Sequence, residues 1–229
     1  MEVVQPIKRN VLLNPGPATT TDTVKYAQVV PDICPREQEF VDIMTQVRQD
    51  LVKVVHGDPE KYTAVIFTGS GTIIQDVLVN SLVPDKKKIC VVNNGAYAAR
   101  MVEIAKYYHI PCVDLKFPST GLPDLGSVRE RLEKDEDITM VMAVHHETGT
   151  GVLNPIKEIG AIAHDHGCIF AVDTISTYGL KPIDIEAENI DFLMSSAQKG
   201  MAAMTGASWT VGNIEEIKKS KDYHSRAYY

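Results

Sequence analysis

Short apolar runs that alternate with stretches of helical period constrain this chain more than any other property. Runs at 62–67, 88–92, 111–115, 138–144, 168–172, 191–194 and 207–211 are rich in β-branched or aromatic residues and end at polar or glycine-containing segments. Each reads as a strand buried on both faces. Between them, 72–82, 96–108, 124–133 and 156–166 carry apolar residues at helical spacing, with Met101, Ile104 and Ala105 facing inward on one of them. This order predicts an α/β domain, a mostly parallel sheet with helices on both faces. Ahead of it, Phe40, Ile43, Met44, Val47, Leu51, Val54 and Val55 mark an amphipathic helix over 37–56, with His56-Gly57 as its stop. Residues 1–35 are rich in Pro, Thr and Asn without periodicity and read as an irregular N-terminal arm; 36–229 form the large domain. A last helix is expected over 214–220.

The 229 residues suffice for one large α/β domain. A formal charge of −7, from 30 acidic against 23 basic side chains, argues against a general nucleic-acid binder. Small anions remain compatible, because local donors hold them whatever the net charge. The opening MEVVQPIKRN lacks the apolar core of a secretory signal, and no run approaches the ~18 apolar residues of a membrane span. Cys34, Cys90, Cys112 and Cys168 show no CxxC spacing, and three sit in or beside apolar runs. They read as free thiols in a reducing cytoplasm.

In an open α/β sheet, ligands sit at the carboxyl ends of the strands, so the loops after the runs carry the chemistry. Phe67-Thr68-Gly69-Ser70-Gly71-Thr72 offers free backbone N–H groups at a helix start, with the hydroxyls of Ser70 and Thr72. That suits a phosphate, and equally a glycine turn with a Thr cap. It is not GxGxxG and no GK[ST] follows, so nicotinamide and ATP gain no support. Asn93-Asn94-Gly95-Ala96-Tyr97 places an aromatic at a helix start, where it can lie on a flat ring or pack into the core. His145-His146-Glu147-Thr148-Gly149-Thr150-Gly151 supplies hydroxyls and small residues; neighbours in an extended loop point apart, and no third ligand stands at metal spacing, so no metal is expected. His164-Asp165-His166 reads as a solvated helix end. Asp173 follows the run ending at Val172, and Lys199 follows Ser195-Ser196-Ala197-Gln198. Singly, the acid fits a cap and the lysine a surface charge. Jointly, a phosphate turn, an aromatic, a hydroxyl loop, an acid and an amine after successive strands are the parts of a pyridoxal 5′-phosphate site. There the amine bonds to the cofactor and the acid pairs with the pyridine nitrogen.

The strings LLNPGPATTT, DICPREQEF, TGSGT, NNGAYAARM, HHETGTGVLNPI, AVDTIST and SSAQKG run through nearly the whole chain. In combination they resemble the class V aminotransferases of the fold-type I pyridoxal phosphate superfamily. DICPRE and HHETGTGVLNP are most similar to the 2-aminoethylphosphonate–pyruvate transaminases, with alanine–glyoxylate and serine–pyruvate transaminases as cousins. The resemblance implies a fold-type I large domain in which Lys199 attaches the cofactor and Asp173 partners the pyridine nitrogen. Tyr97 would stack on the ring, Thr148 would lie beside its phenolic oxygen, and Ser70, Gly71, Thr72 and Gln198 would hold the phosphate. Gly16 would line the substrate side.

The resemblance also implies a small-molecule amine donor, a 2-oxo acid acceptor and a homodimer with sites at the interface. The reaction it points to moves the amino group of 2-aminoethylphosphonate to pyruvate, giving phosphonoacetaldehyde and alanine. Relatives carry a second, smaller C-terminal domain with the arginine that binds the substrate carboxylate. The matching stretch does not reach that domain, and His224-Ser225-Arg226-Ala227-Tyr228-Tyr229 reads as the middle of a segment, so a truncated product or fragment is expected. The alternative expectation is therefore a truncated cofactor-binding fragment without turnover. A desulfurase or lyase relative would need a reactive loop cysteine from the C-terminal part.

Overall fold

The computed structural model describes residues 10–223 and residue 226. The first nine residues of the arm, and all of 224–229 except Arg226, lie outside the described residues. In chain order the elements are α1 (Asp22–Tyr26), α2 (Gln38–Val54), β1 (Tyr62–Thr68), α3 (Gly71–Ser81), β2 (Lys88–Asn93), α4 (Ala96–Tyr107), β3 (Cys112–Lys116) and α5 (Leu125–Glu133). They continue with β4 (Ile138–Val144), β5 (His146–Glu147), β6 (Val152–Leu153), α6 (Ile156–Asp165), β7 (Ile169–Asp173), β8 (Phe192–Ser196), β9 (Ala207–Asn213) and α7 (Ile214–Lys219), and a 3₁₀ turn follows at Ser220–Asp222.

Seven strands form one sheet in the order β1-β9-β8-β7-β4-β2-β3. From β3 to β8 the neighbours are parallel, while β9 is antiparallel to both β8 and β1. The reversal has a simple cause. Parallel neighbours need a crossover of a dozen or more residues, and the β8–β9 link is too short to supply one. The parallel strands are apolar throughout because both faces are covered. Along β4, Val141 and Ala143 join the core with Phe170, Ile159 and Tyr178, while Met140, Met142 and Val144 join the opposite one with Ile74, Met101 and Phe192. Side chains alternate sides, so a strand with both sides buried shows no polar alternation.

Several helix starts follow from capping. Thr21, Asp124 and Asn213 accept backbone N–H groups at the starts of α1, α5 and α7. Asp124, expected as the first residue of its helix, is thus the residue that caps it.

Of three local expectations, two need correction and one is sharpened. First, the apolar stripe of α2 is only partly used. Leu51, Val52 and Val55 are buried, but Val41, Ile43, Val47 and Val54 are each more than a third exposed. Periodicity reveals an apolar face without saying what covers it. Second, α2 stops at the expected His56-Gly57, with His56 left-handed at φ 53° and Gly57 N–H donating to Val52 O at 3.1 Å. Third, the loop after β4 is not simply extended. β5 and β6 pair antiparallel as a small hairpin, closed by Thr150 and Gly151 N–H groups on Glu147 O. The arm also contains α1, too short to show a period.

All four cysteines are free, with Cys90 and Cys168 buried, Cys112 half-buried and Cys34 exposed. Among the described residues, no helix is long and apolar enough to cross a membrane.

Candidate active site

The carboxyl ends of β4, β7 and β8 converge on one cleft, lined by Tyr97, Val144, His146, Thr148, Asp173, Ile175, Ser176 and Lys199. Sheet register explains the convergence. Asp173 pairs with Val144 on one side and Met194 on the other, so the acid, the β4–β5 loop and the β8 loop leave the sheet side by side. Four residues singled out by sequence, Tyr97, Thr148, Asp173 and Lys199, meet in this cleft. Gly16 meets them from the arm: a Cβ on it would stand 2.4 Å from Lys199 Cδ and 2.6 Å from Nζ. The arm is held there by Ala18 N–H donating to Gln198 O at 2.8 Å.

Ser70, Gly71 and Thr72 stand next to the cleft rather than in its wall. Ser70 is the N-cap of α3, and Gly71 opens the helix with its Cα packed on Ile175, where a Cβ would approach Cδ1 to 2.3 Å. Thr72 Oγ1 accepts from Arg100 Nη1 at 3.2 Å, and Arg100 lies 5.0 Å over the Tyr97 ring, which ties the turn to the aromatic.

Asp173 is 3% exposed and its carboxyl is pushed up to about 6, chiefly by burial. Ile175 N–H on Oδ1 at 2.9 Å and Gln75 Nε2 on Oδ2 at 2.7 Å pull in the opposite direction. The Glu147 charge adds to the rise, and Arg100 opposes it. Burial disfavours the charged form while donors favour it, and here burial wins. Asp173 is therefore an acid in need of a positive partner. In place of the helix cap that the acid fits when taken singly, Asp173 holds the turn at Ile175.

Several residues in and around the site had no individual role assigned from the sequence. Glu147 is fully buried beside Gly95, with its carboxylate 3.3 and 3.4 Å from the Tyr97 N–H it accepts at the start of α4. His146 Nδ1 lies 3.2 Å from Ser176 Oγ, whose hydroxyl donates to His146 O at 3.0 Å. His145 is buried with Nδ1 2.9 Å from Thr177 Oγ1, and burial first, then the Lys181 and His146 charges, push it down to about 4. For Gln75, also without an assigned role, the signal was polar type inside an apolar segment, among Ile73, Ile74, Leu78 and Val79. Among the described residues, no three His, Cys, Asp or Glu side chains gather as metal ligands.

Two buried atoms beside the amine, Ser196 Oγ and Gln198 Oε1, have no hydrogen-bond partner within the protein. Ser196 Oγ lies against the Gly71 turn, 3.6 Å from where a Cβ would be. Buried polar groups are normally satisfied, so unused capacity beside a helix N-terminus, next to a buried acid and an amine, fits pyridoxal 5′-phosphate.

The chain is similar to known proteins over nearly its whole length. It is 38% identical over 211 residues to a bifunctional phosphonoacetaldehyde hydrolase/aminoethylphosphonate transaminase from Clostridioides difficile (strain 630), covering 92% of this chain and 33% of that protein. It is 36% identical over 211 residues to a 2-aminoethylphosphonate–pyruvate transaminase from Bacillus mycoides (strain KBAB4), covering 92% of this chain and 58% of that one. The chain thus spans at most about three fifths of these relatives. Among solved structures, an alanine–glyoxylate aminotransferase from Nostoc sp. superposes with a TM-score of 0.85 at 25% identity, over 99% of this chain and 59% of that one. An aspartate aminotransferase from Thermus thermophilus, at TM-score 0.84 and 22% identity over 96% of this chain and 60% of that one, shares the fold. The sequence model of the aminotransferase class-V family matches residues 20–221. The chain belongs to the class V aminotransferases, a family of pyridoxal 5′-phosphate-dependent enzymes.

Proposed function

We propose that this chain forms the cofactor-binding part of an aminotransferase that moves the amino group of 2-aminoethylphosphonate to pyruvate, giving phosphonoacetaldehyde and alanine. In this reading 1–35 is an arm over the site and 36–229 the large domain. One observation carries the reading: a buried acid and an amine from the loops after neighbouring strands meet in one cleft, in a chain similar to transaminases of that substrate.

When bound, the cofactor supplies an electron sink for the pair left as the donor's C–H bond breaks. Lys199, against which Gly16 packs, would hold the cofactor covalently and, once displaced by the donor amine, would be free to take and return the proton at the reacting carbon. Asp173 would pair with the ring nitrogen. A positive charge there favours its carboxylate and offsets the burial that otherwise raises its pKa. Tyr97 would stack on the ring, its backbone N–H held by Glu147 and its own ring covered by Arg100. Ser70, Gly71 and Thr72 would hold the phosphate with the first N–H groups of α3, where the helix dipole favours an anion. Gln198, its Oε1 unpartnered, would add a contact from the lysine loop, and Thr148 would offer a hydroxyl to the ring oxygen.

The exposed stripe of Val41, Ile43 and Val47 on α2, with Val11, Leu13, Val29 and Val30 of the arm, supports a homodimer. Four free thiols suit a reducing, cytoplasmic setting.

The test is an absorbance scan with added pyridoxal 5′-phosphate, followed by a coupled assay for alanine from pyruvate. Donors are 2-aminoethylphosphonate and, as the rival amine, serine. Binding gives a visible band that Lys199→Ala abolishes. A Lys199→Ala protein that keeps both band and turnover refutes the assignment. Binding without turnover by any donor reduces the chain to a cofactor-binding fragment.

A further inference from the structure

Gln75 lies in mid-α3, fully buried, between core residues Ile74 and Leu78. Its amide does not serve its own helix. Nε2 crosses to the end of β7 and donates to Asp173 Oδ2 at 2.7 Å, 98 positions away in sequence. An apolar side chain of similar volume would fill the space without the cost of burying an amide. Gln75 Oε1 has no partner, so the one contact made by this amide that needs a polar group is the carboxylate. The second carboxylate oxygen is engaged separately by Ile175 N–H at 2.9 Å. Two donors on two different oxygens fix the plane of the group. The charged and titratable groups facing it are Glu147 and His146 from β5, Tyr97 and Arg100 from α4, and Lys199 from the loop after β8.

We propose that Gln75 is a positioning residue for Asp173: it fixes the carboxylate plane and favours its ionised form before cofactor arrives, so that the ring nitrogen meets an anion already aimed. The inference rests on Asp173 as the ring-nitrogen partner. Donation to a carboxylate stabilises its charged form, so removing the donor raises the pKa.

The experiment follows the Asp173 carboxyl by ¹³C NMR titration of the cofactor-free protein, with Asp173→Asn as the assignment control. Gln75→Met keeps the volume and removes the donor. Its midpoint should rise by about one to two pH units, the size of a charge-assisted hydrogen bond. Pyridoxal 5′-phosphate binding, read by absorbance, should weaken more at pH 6 than at pH 8. A folded Gln75→Met protein with an unmoved midpoint overturns the inference, as does loss of thermal stability without a titration shift. Gln75→Asn withdraws the donor by one methylene and should shift the midpoint in the same direction; if only this variant folds, an unmoved midpoint overturns the inference equally. An Asp173→Asn protein that binds cofactor as tightly as wild type refutes the role of Asp173 itself, whatever the Gln75 titration shows, and so separates the two failures.

Discussion

Replacing Gly95 with alanine should destabilise the protein through a single contact. A Cβ at this position would lie 2.2 Å from Glu147 Cγ, 2.3 Å from Cδ and 2.5 Å from Oε2, well inside van der Waals contact. Backbone strain plays no part. Gly95 has φ −179°, extended backbone that any residue adopts. Glu147 cannot yield easily, because it is fully buried and its carboxylate accepts the Tyr97 N–H. Overpacking a dense interior costs about 1–3 kcal/mol, and a displaced acceptor leaves the Tyr97 N–H short by roughly 1 kcal/mol more. The expected loss is therefore about 2–4 kcal/mol. Urea unfolding should show it as a lower midpoint with an unchanged slope. Glu147→Ala should also destabilise, by leaving a void and an unpaired N–H. In the double variant, however, the new methyl enters the space that Glu147 vacates. The pair should then cost at least about 1 kcal/mol less than the sum of the singles. Strict additivity, or a Gly95→Ala protein as stable as wild type, would refute the claim that the two residues compete for one space.

Two further outcomes follow from the same geometry. Gly16→Ala should disturb Lys199 directly, since φ +143° disfavours any side chain and the new Cβ would meet Lys199 Cδ and Nζ. Cofactor attachment, followed by its visible band, should fall on the order of tenfold to a hundredfold, with little change in urea midpoint because both residues lie in loops. The cofactor-free protein should also carry two opposing pH dependences. The Asp173 carboxyl is raised to about 6, so its contribution to stability is fully present below its unfolded pKa near 4 and is lost as pH rises through 6. His145 is lowered to about 4, so its contribution is present above 6.5 and is lost as pH falls towards 4. Asp173→Asn should therefore gain stability over wild type between pH 4 and pH 6, on the order of 2–3 kcal/mol, in urea unfolding. A difference that stays flat across that window would show that Asp173 is not raised.

Much of the fold was legible because strand and helix periods are local. The run at 138–144 coincides with β4, and the other expected strands and helices match their ranges to within about two residues, while α1, β5 and β6 were not expected. Caps such as Asp124 were legible in type and misplaced by one residue, since first helical residue and N-cap differ only by a dihedral angle. The failure at α2 has another cause. Its period is helical, yet Val41, Ile43 and Val47 are left more than a third exposed by the described residues, and no pattern in one sequence states what a face will meet. At the site, the acid, amine, aromatic and hydroxyl were legible because each follows a strand. Gln75 and Glu147 were not, because a buried polar residue gains its meaning only from its partner.

By itself the sequence determined the α/β class, the order of elements and the loops that carry chemistry, since these depend on spacing along the chain. Only the tertiary structure decided which loops converge, that β9 runs against its neighbours, and that Asp173 is held by one amide from α3 and one turn of its own. These depend on contacts between residues far apart in the chain, and the environment that raises Asp173 is made almost wholly of them. Burial and charge are properties of neighbourhoods, and a neighbourhood exists only once the chain has folded.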